Sequence, residues 1–229
     1  VLELWIDYKD GRKRKVETFD SNHFNAKAIF SNDGKQLIAV VGDSVWISRL
    51  DGVKEQLNKP SQILVNPSWS ANQREVFGIV PADNWSLISI DIQTKEQKTI
   101  GHSYSFFQQS PDGNFEVFIK TNSDEVMIRN VKTAATYPIA VTNFDRTKSI
   151  RASFVNDHLY VKCSRCSMEG FPSSQVIVRH DLKTNQTETK SLSVFGDDRD
   201  FHVTTDEQEL YFDVKEKHRK YSLNVISPK

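Results

Sequence analysis

The chain has 229 residues, 38% of them hydrophobic, which is enough for one domain or one closed repeat array with its own core. Thirty basic residues balance thirty acidic ones, and a formal net charge of zero argues against a general nucleic-acid-binding surface. No apolar run approaches the ~18 residues that cross a bilayer, so membrane attachment is expected only from a segment outside this sequence.

The sequence opens on an alternating strand, Leu2 to Tyr8, without an initiating methionine or an apolar leader, and is expected to be a piece of a longer chain. Residues 2–18 read as a hairpin turning at Asp10-Gly11. The basic run Arg12 to Lys15 reads as the solvated side of that hairpin, since lysine and arginine commonly protect sheet edges. A cassette then repeats. Ala28-Ile29-Phe30-Ser31-Asn32-Asp33-Gly34 leads into a second apolar run, and Pro67-Ser68-Trp69-Ser70-Ala71-Asn72-Gln73 does the same. The fullest copy is Phe107-Gln108-Gln109-Ser110-Pro111-Asp112-Gly113 followed by Asn114 to Phe118. Ser31, Ser70 and Ser110 are spaced by 39 and 40 residues, a period that marks a repeat architecture. Gly113 is expected to need a positive φ, and Asn72 is expected to tolerate glycine.

After each hairpin comes a third strand, such as Val45 to Leu50, Leu87 to Ile92, Val126 to Val131 or Val176 to Leu182, then a turn and a polar fourth strand. Four antiparallel strands every 40 or so residues describe a β-propeller blade. Blades are expected over about 23–57, 61–100, 102–139, 144–192 and 201–225, in an all-β chain with less than about one-tenth helix. Six blades, counting the N-terminal hairpin as a reduced one, are preferred over five. Trp46 and Trp69 are placed in the gaps between blades.

The pattern resembles the TolB-type propeller repeat, whose turn is Pro-x-Trp-Ser-Pro-Asp-Gly. Pro67-Ser68-Trp69-Ser70 matches one half of it and Ser110-Pro111-Asp112-Gly113 the other. Because propellers host unrelated activities, the resemblance carries architecture rather than chemistry.

The fourth unit exceeds the period, and the added material falls at Cys163 to Ser174, rich in Gly, Pro and Ser. Cys163 and Cys166 are the only cysteines. A disulfide pinning this loop, half of a zinc site and a redox-active pair are the alternatives; no further ligand pair of zinc spacing occurs, and the disulfide is favoured. Loops between second and third strands share one propeller face with the connections between blades. That face is expected to carry His23, Asp43, Asp83, Asn84, Trp85, His102, Asn122 and Asp124, with His23, Asp83, Trp85, His102 and Asp124 as binding residues. Trp85, an aromatic at a polar loop tip, is the expected anchor. No nucleophile elbow, phosphate loop, His-Glu-x-x-His or Gly-x-Gly-x-x-Gly motif is present, and no catalytic residue, metal or cofactor is expected.

A propeller of this kind with a cysteine pair resembles the periplasmic part of ToxR- or CadC-like membrane-bound transcriptional regulators. That resemblance implies a non-enzymatic sensing or interaction domain, tethered to the bacterial inner membrane, that meets a protein partner or small polar ligand while a separate domain binds DNA. The rival readings are the propeller of a prolyl-oligopeptidase-like peptidase and a free-standing TolB-like periplasmic interaction protein.

Overall fold

A computed structural model describes residues 2–7, 13–19, 26–49, 53–59, 62–123, 125–139, 150–163, 175–192, 201–203, 210–216 and 219–223. Strands β1 (Leu2–Asp7) and β2 (Lys13–Phe19) pair antiparallel. Blade 1 contains β3 (Ala26–Phe30), β4 (Gln36–Val41), β5 (Ser44–Arg49) and β6 (Lys54–Gln56). Blade 2 contains β7 (Val65–Trp69), β8 (Glu75–Val80), β9 (Ser86–Asp91) and β10 (Gln97–Gly101). Blade 3 contains β11 (Tyr104–Gln109), β12 (Phe115–Lys120), β13 (Val126–Asn130) and β14 (Thr136–Ile139). Blade 4 contains β15 (Ile150–Val155), β16 (His158–Cys163), β17 (Gln175–Asp181) and β18 (Thr187–Leu192). The last sheet joins β19 (Phe201–Val203), β20 (Leu210–Glu216) and β21 (Arg219–Leu223).

The architecture is all-β, with propeller blades of four antiparallel strands and no helix among the described residues. The expected count of six or five blades is corrected to four. Among the described residues β1 and β2 pair only with each other, and β19 to β21 stop at three strands, so neither segment reaches the four strands of a blade. By its packing the chain divides into two units, Val1–Asn114 and Phe115–Lys229.

In the first unit, hydrophobicity sets strand position. β8 and β9 are buried along almost their whole length, β8 through the run Val76 to Val80 and β9 through Leu87, Ile88 and Ile90 with Ser86 and Ser89 buried among them, whereas β10, Gln97-Lys98-Thr99-Ile100-Gly101, stays largely exposed. Ile38, Val45, Ile47, Leu57, Leu64, Trp69, Val76, Val80, Ile88 and Ile90 form one core across blades 1 and 2. Trp69 sits in it, as expected, and donates its indole N–H to the Ile29 carbonyl at 3.1 Å. Trp46 is half-buried with the Lys54 ammonium 5.5 Å from its ring centre.

The repeated serine is buried in all three copies. Ser31 Oγ donates to Asp33 Oδ1 (2.7 Å), Ser70 Oγ to Asn72 Oδ1 (2.8 Å) and Ser110 Oγ to Asp112 Oδ1 (2.6 Å). The same Asp or Asn oxygen then accepts the N–H two residues on, from Lys35, Arg74 and Asn114. The Ser31 hydroxyl, with the Lys35 amide, holds Asp33 below the usual carboxylate range. Burial would raise Asp112, but the Ser110 hydroxyl and the Asn114 amide outweigh it. Gly34 and Gly113 have φ of 68° and 73°; in the second copy the left-handed residue is Gln73, at 57°. The expectation for Asn72 therefore shifts by one position, since Asn72 does the work of Asp33 and Asp112, and Gln73 is the residue that glycine would suit.

In the second unit, Glu116 is buried opposite Arg129, whose guanidinium pairs with its carboxylate. His180 on β17 is 2% exposed, packs near the Tyr137 ring and bonds Thr187 Oγ1 through Nδ1 at 2.9 Å. Its buried Nε2 has no partner among the described residues. Burial lowers its pKa, with the Asp181 charge opposing. The unfolded chain thus takes up this proton at higher pH than the folded one, so the neutral ring's stabilisation is complete above the unfolded value of about 6.5 and is lost as pH falls from there towards the lower folded value. Denaturant melts should show stability declining between pH 7 and pH 5, and His180→Phe should flatten that part of the profile.

Candidate functional site

Asp83, Trp85 and His102 meet at one end of blade 2, where the β8–β9 turn lies beside the connection from β10 to β11. The turn is closed by the Asp83 amide donating to the Val80 carbonyl (3.2 Å), and the Ser86 amide to that of Asp83 (2.9 Å). Asn84 and Trp85 are both left-handed, with φ of 50° and 54°. Asparagine adopts that conformation readily, whereas a tryptophan there costs roughly 1 to 2 kcal/mol.

Blade 3 holds this strained pair in place. The Ser103 amide donates to the Asn84 carbonyl (3.1 Å) and the Tyr104 amide to the Trp85 carbonyl (3.0 Å), with Ser103 itself at φ 62°. A β-carbon at Gly101 would sit 3.2 Å from the Tyr104 ring, so a larger residue there would press on the ring at the start of β11. Ser86, fully buried, donates its hydroxyl proton to the Asp83 carbonyl (2.5 Å) and lies 2.7 Å from His102 Nδ1. With the single hydroxyl proton so committed, the serine oxygen is the acceptor in that contact and Nδ1 of His102 carries the proton. The outcome is an indole 41% exposed on a braced turn, with Ile100 of the neighbouring rim strand also exposed.

A serine within hydrogen-bond reach of a histidine has the look of a nucleophile and its base. Here the hydroxyl is sealed from solvent and turned to a carbonyl, which leaves a substrate no approach. The turn serines and aspartates are likewise occupied with one another.

Of the other expected contact residues, His23 and Asp124 lie outside the described residues. Asp43 is in the β4–β5 turn of blade 1, where its carbonyl accepts from Asn58 Nδ2 at 2.8 Å. Asn122 is exposed in a turn of the second unit. Cys163 ends β16, while Cys166 and residues 164–174 lie outside the described residues, and with them the favoured disulfide and the added loop. Among the described residues no three His, Cys, Asp or Glu side chains cluster as metal ligands would, and no helix is long and apolar enough to cross a membrane. Sequence reasoning did not identify the roles of Ser86 and Tyr104. Only the spacing of the loops, which brings residues 83–86 beside 102–104 when the repeats are stacked, could have pointed to them.

No protein-family model matches the sequence, and no curated protein sequence does. The fold, however, is shared with solved structures. TolB from Acinetobacter baumannii superposes with a TM-score of 0.72 at 14% identity, over 95% of this chain and 55% of that one. A chain of the mitotic checkpoint complex gives 0.61 at 14% identity, over 99% and 74%. A puromycin hydrolase gives 0.55 at 11% identity, over 79% and 30%. The chain thus has a TolB-like propeller fold and spans about half the length of that TolB chain.

Proposed function

We propose that this chain is a non-enzymatic interaction or sensing domain whose contact point is the Trp85 turn. The observation that carries the reading is a bulky aromatic kept exposed in a left-handed conformation by the neighbouring blade. Strain of that kind, maintained by surrounding hydrogen bonds, collects at binding sites, and exposed tryptophans make strong anchors. A protein partner or a small polar ligand docks there, with Asp83 and His102 as its polar neighbours. The neighbour within a multiprotein checkpoint complex supports the propeller as a protein-binding scaffold.

The context we propose is periplasmic, as the sensor of a membrane-bound transcriptional regulator of the ToxR or CadC kind. The TolB-like fold and the cysteine pair support it, with DNA binding left to another domain. The puromycin hydrolase neighbour favours the peptidase-propeller reading instead, and a Gly-x-Ser-x-Gly domain in the full-length protein would decide for it.

The test is signalling by the full-length protein carrying Trp85→Ala, alongside a variant with the 167–174 loop shortened. Trp85→Ala should fold normally and lose most of the response; two variants that fold and signal like the wild type would overturn the reading. The strain has its own signature. Glycine at position 85 should be more stable than alanine there by about 1 kcal/mol in thermal melts, the reverse of the usual order, because only glycine is free of the left-handed penalty.

A further inference from the structure

Each blade turns one face towards the strands that follow it. In blade 1 that face carries Ile38, Val45 and Ile47, which form one core with Val76, Ile88 and Ile90 of blade 2. In blade 2 it carries Phe77, whose ring stands edge-on to Phe107 of β11 with 4.9 Å between centres. In blade 3 it carries Ile128 and, paired with it, Tyr137, whose ring lies 5.8 Å from that of His180 in blade 4.

The pairing of second with third strands places the equivalent residues of this face opposite one another: Ile38 with Ile47, Phe77 with Ser89, Val117 with Ile128 and, in blade 4, Tyr160 with Arg179. Two residues on, the second strand has Val40, Ile79 and Ile119 in the first three blades and Lys162 in the fourth. Blade 4 therefore breaks the pattern, presenting a phenol, an ammonium and a guanidinium where the others, Ser89 apart, are aliphatic or aromatic. The guanidinium works within its own blade, donating from Nε to the Tyr160 hydroxyl (3.2 Å) and from Nη2 to His158 Nε2 (2.8 Å), with Nη1 3.6 Å from Glu188 Oε2.

This polar face is nevertheless covered, since Tyr160 is 7% exposed and Lys162 2%. The strands that follow blade 4 are those of the sheet β19–β21, and β19 lies against β15 as β11 lies against β7. By the rule of the three earlier seams, that sheet covers the face. Opening an apolar seam puts aliphatic and aromatic surface into water, whereas a phenol, an ammonium and a guanidinium regain hydrogen bonds to water when uncovered. The seam beyond blade 4 is thus the one that opens most readily. β20 pairs with both β19 and β21, so the sheet keeps its own ladder when it leaves.

We propose that β19–β21 undock from blade 4 as one unit while the four blades stay folded, uncovering Tyr160, Lys162 and Arg179. The inference is independent of the Trp85 reading. Native-state hydrogen exchange of the intact protein at guanidinium concentrations below the global transition, together with acetylation of Lys162 followed by peptide mapping, tests it. The amides of β19, β20 and β21 should share one opening free energy and exchange at least about tenfold faster than those of β8 and β9. Lys162 should be acetylated at the frequency of that same opening. Arg179→Ala leaves a gap under the covering sheet and takes a donor from Tyr160 and His158, so it should raise both rates about tenfold and leave β8 and β9 unchanged. Opening free energies that fall off gradually from β19 to β21 would mean fraying from the last strand, and Lys162 acetylated only as fast as β8 and β9 unfold would mean a closed seam. Either result overturns the proposal without any variant, and so does a folded Arg179→Ala protein with unaltered exchange in β19–β21.

Discussion

Gly78→Val should destabilise the protein by about 3 kcal/mol. Gly78 lies in the middle of β8, opposite Ile88, and a β-carbon there would sit 2.5 Å from both Cγ and Cδ1 of Leu64 and 2.7 Å from its Cδ2. Non-bonded carbons do not approach so closely. Leu64 is itself buried in the core shared by blades 1 and 2, so it has nowhere to withdraw without displacing its neighbours. The packing can be read from a double-mutant cycle with the smaller substitution. Leu64→Ala alone should cost about 2 to 5 kcal/mol through the cavity it leaves, and Gly78→Ala alone should cost about 1 to 3 through overpacking. Together they should cost less than the sum by about 1 kcal/mol or more, because the alanine at 78 refills part of the space vacated at 64. Urea melts of the four proteins decide it, and strict additivity would mean that these two residues do not meet.

Trp69→Ala should cost about 3 to 5 kcal/mol. The ring is 6% exposed and contributes to the core from blade 2, while its N–H reaches the Ile29 carbonyl of blade 1. Two losses are therefore combined, and Trp69→Phe separates them. Phenylalanine keeps much of the apolar volume but leaves the Ile29 carbonyl without the indole donor, so it should cost about 1 to 3 kcal/mol. Chemical denaturation of both variants gives the two figures, and a Trp69→Phe loss as large as that of Trp69→Ala would place the stability in the hydrogen bond rather than in the packing.

The parts of this fold that could be read from the sequence are those set by local chemistry. Ser31, Ser70 and Ser110 signalled the period because each turn closes on its own residues within five positions, so the motif carries its structure with it. Trp69 was placed between blades because a large apolar residue on an alternating strand has to fill the gap beside it. The blade count failed for the opposite reason: whether residues 2–19 and 201–223 gain more strands depends on pairing with distant segments, and no residue in either stretch encodes that choice. The single-position error at Asn72 arose because Gln73, unlike Gly34 and Gly113, shows nothing of its left-handed backbone in its identity. Trp85 could be nominated from its polar neighbours, but its strain and its support by Ser103 and Tyr104 are tertiary facts.

The bonds that tie successive blades together also impose a schedule on synthesis. The Gln73 carboxamide accepts from the Asp33 amide, the Gln109 carboxamide from the Ala71 amide, and the Trp69 indole reaches the Ile29 carbonyl, so each of these side chains grips backbone made 38 to 40 residues earlier. A blade leaving the ribosome is hydrogen-bonded within itself but lacks its latch until the next has been translated, a delay of roughly 2 to 8 s at ordinary elongation rates. During that interval its core-facing side is open to solvent or to a chaperone, and these links set blade 1 against blade 2 and blade 2 against β11 in order from the N-terminal side.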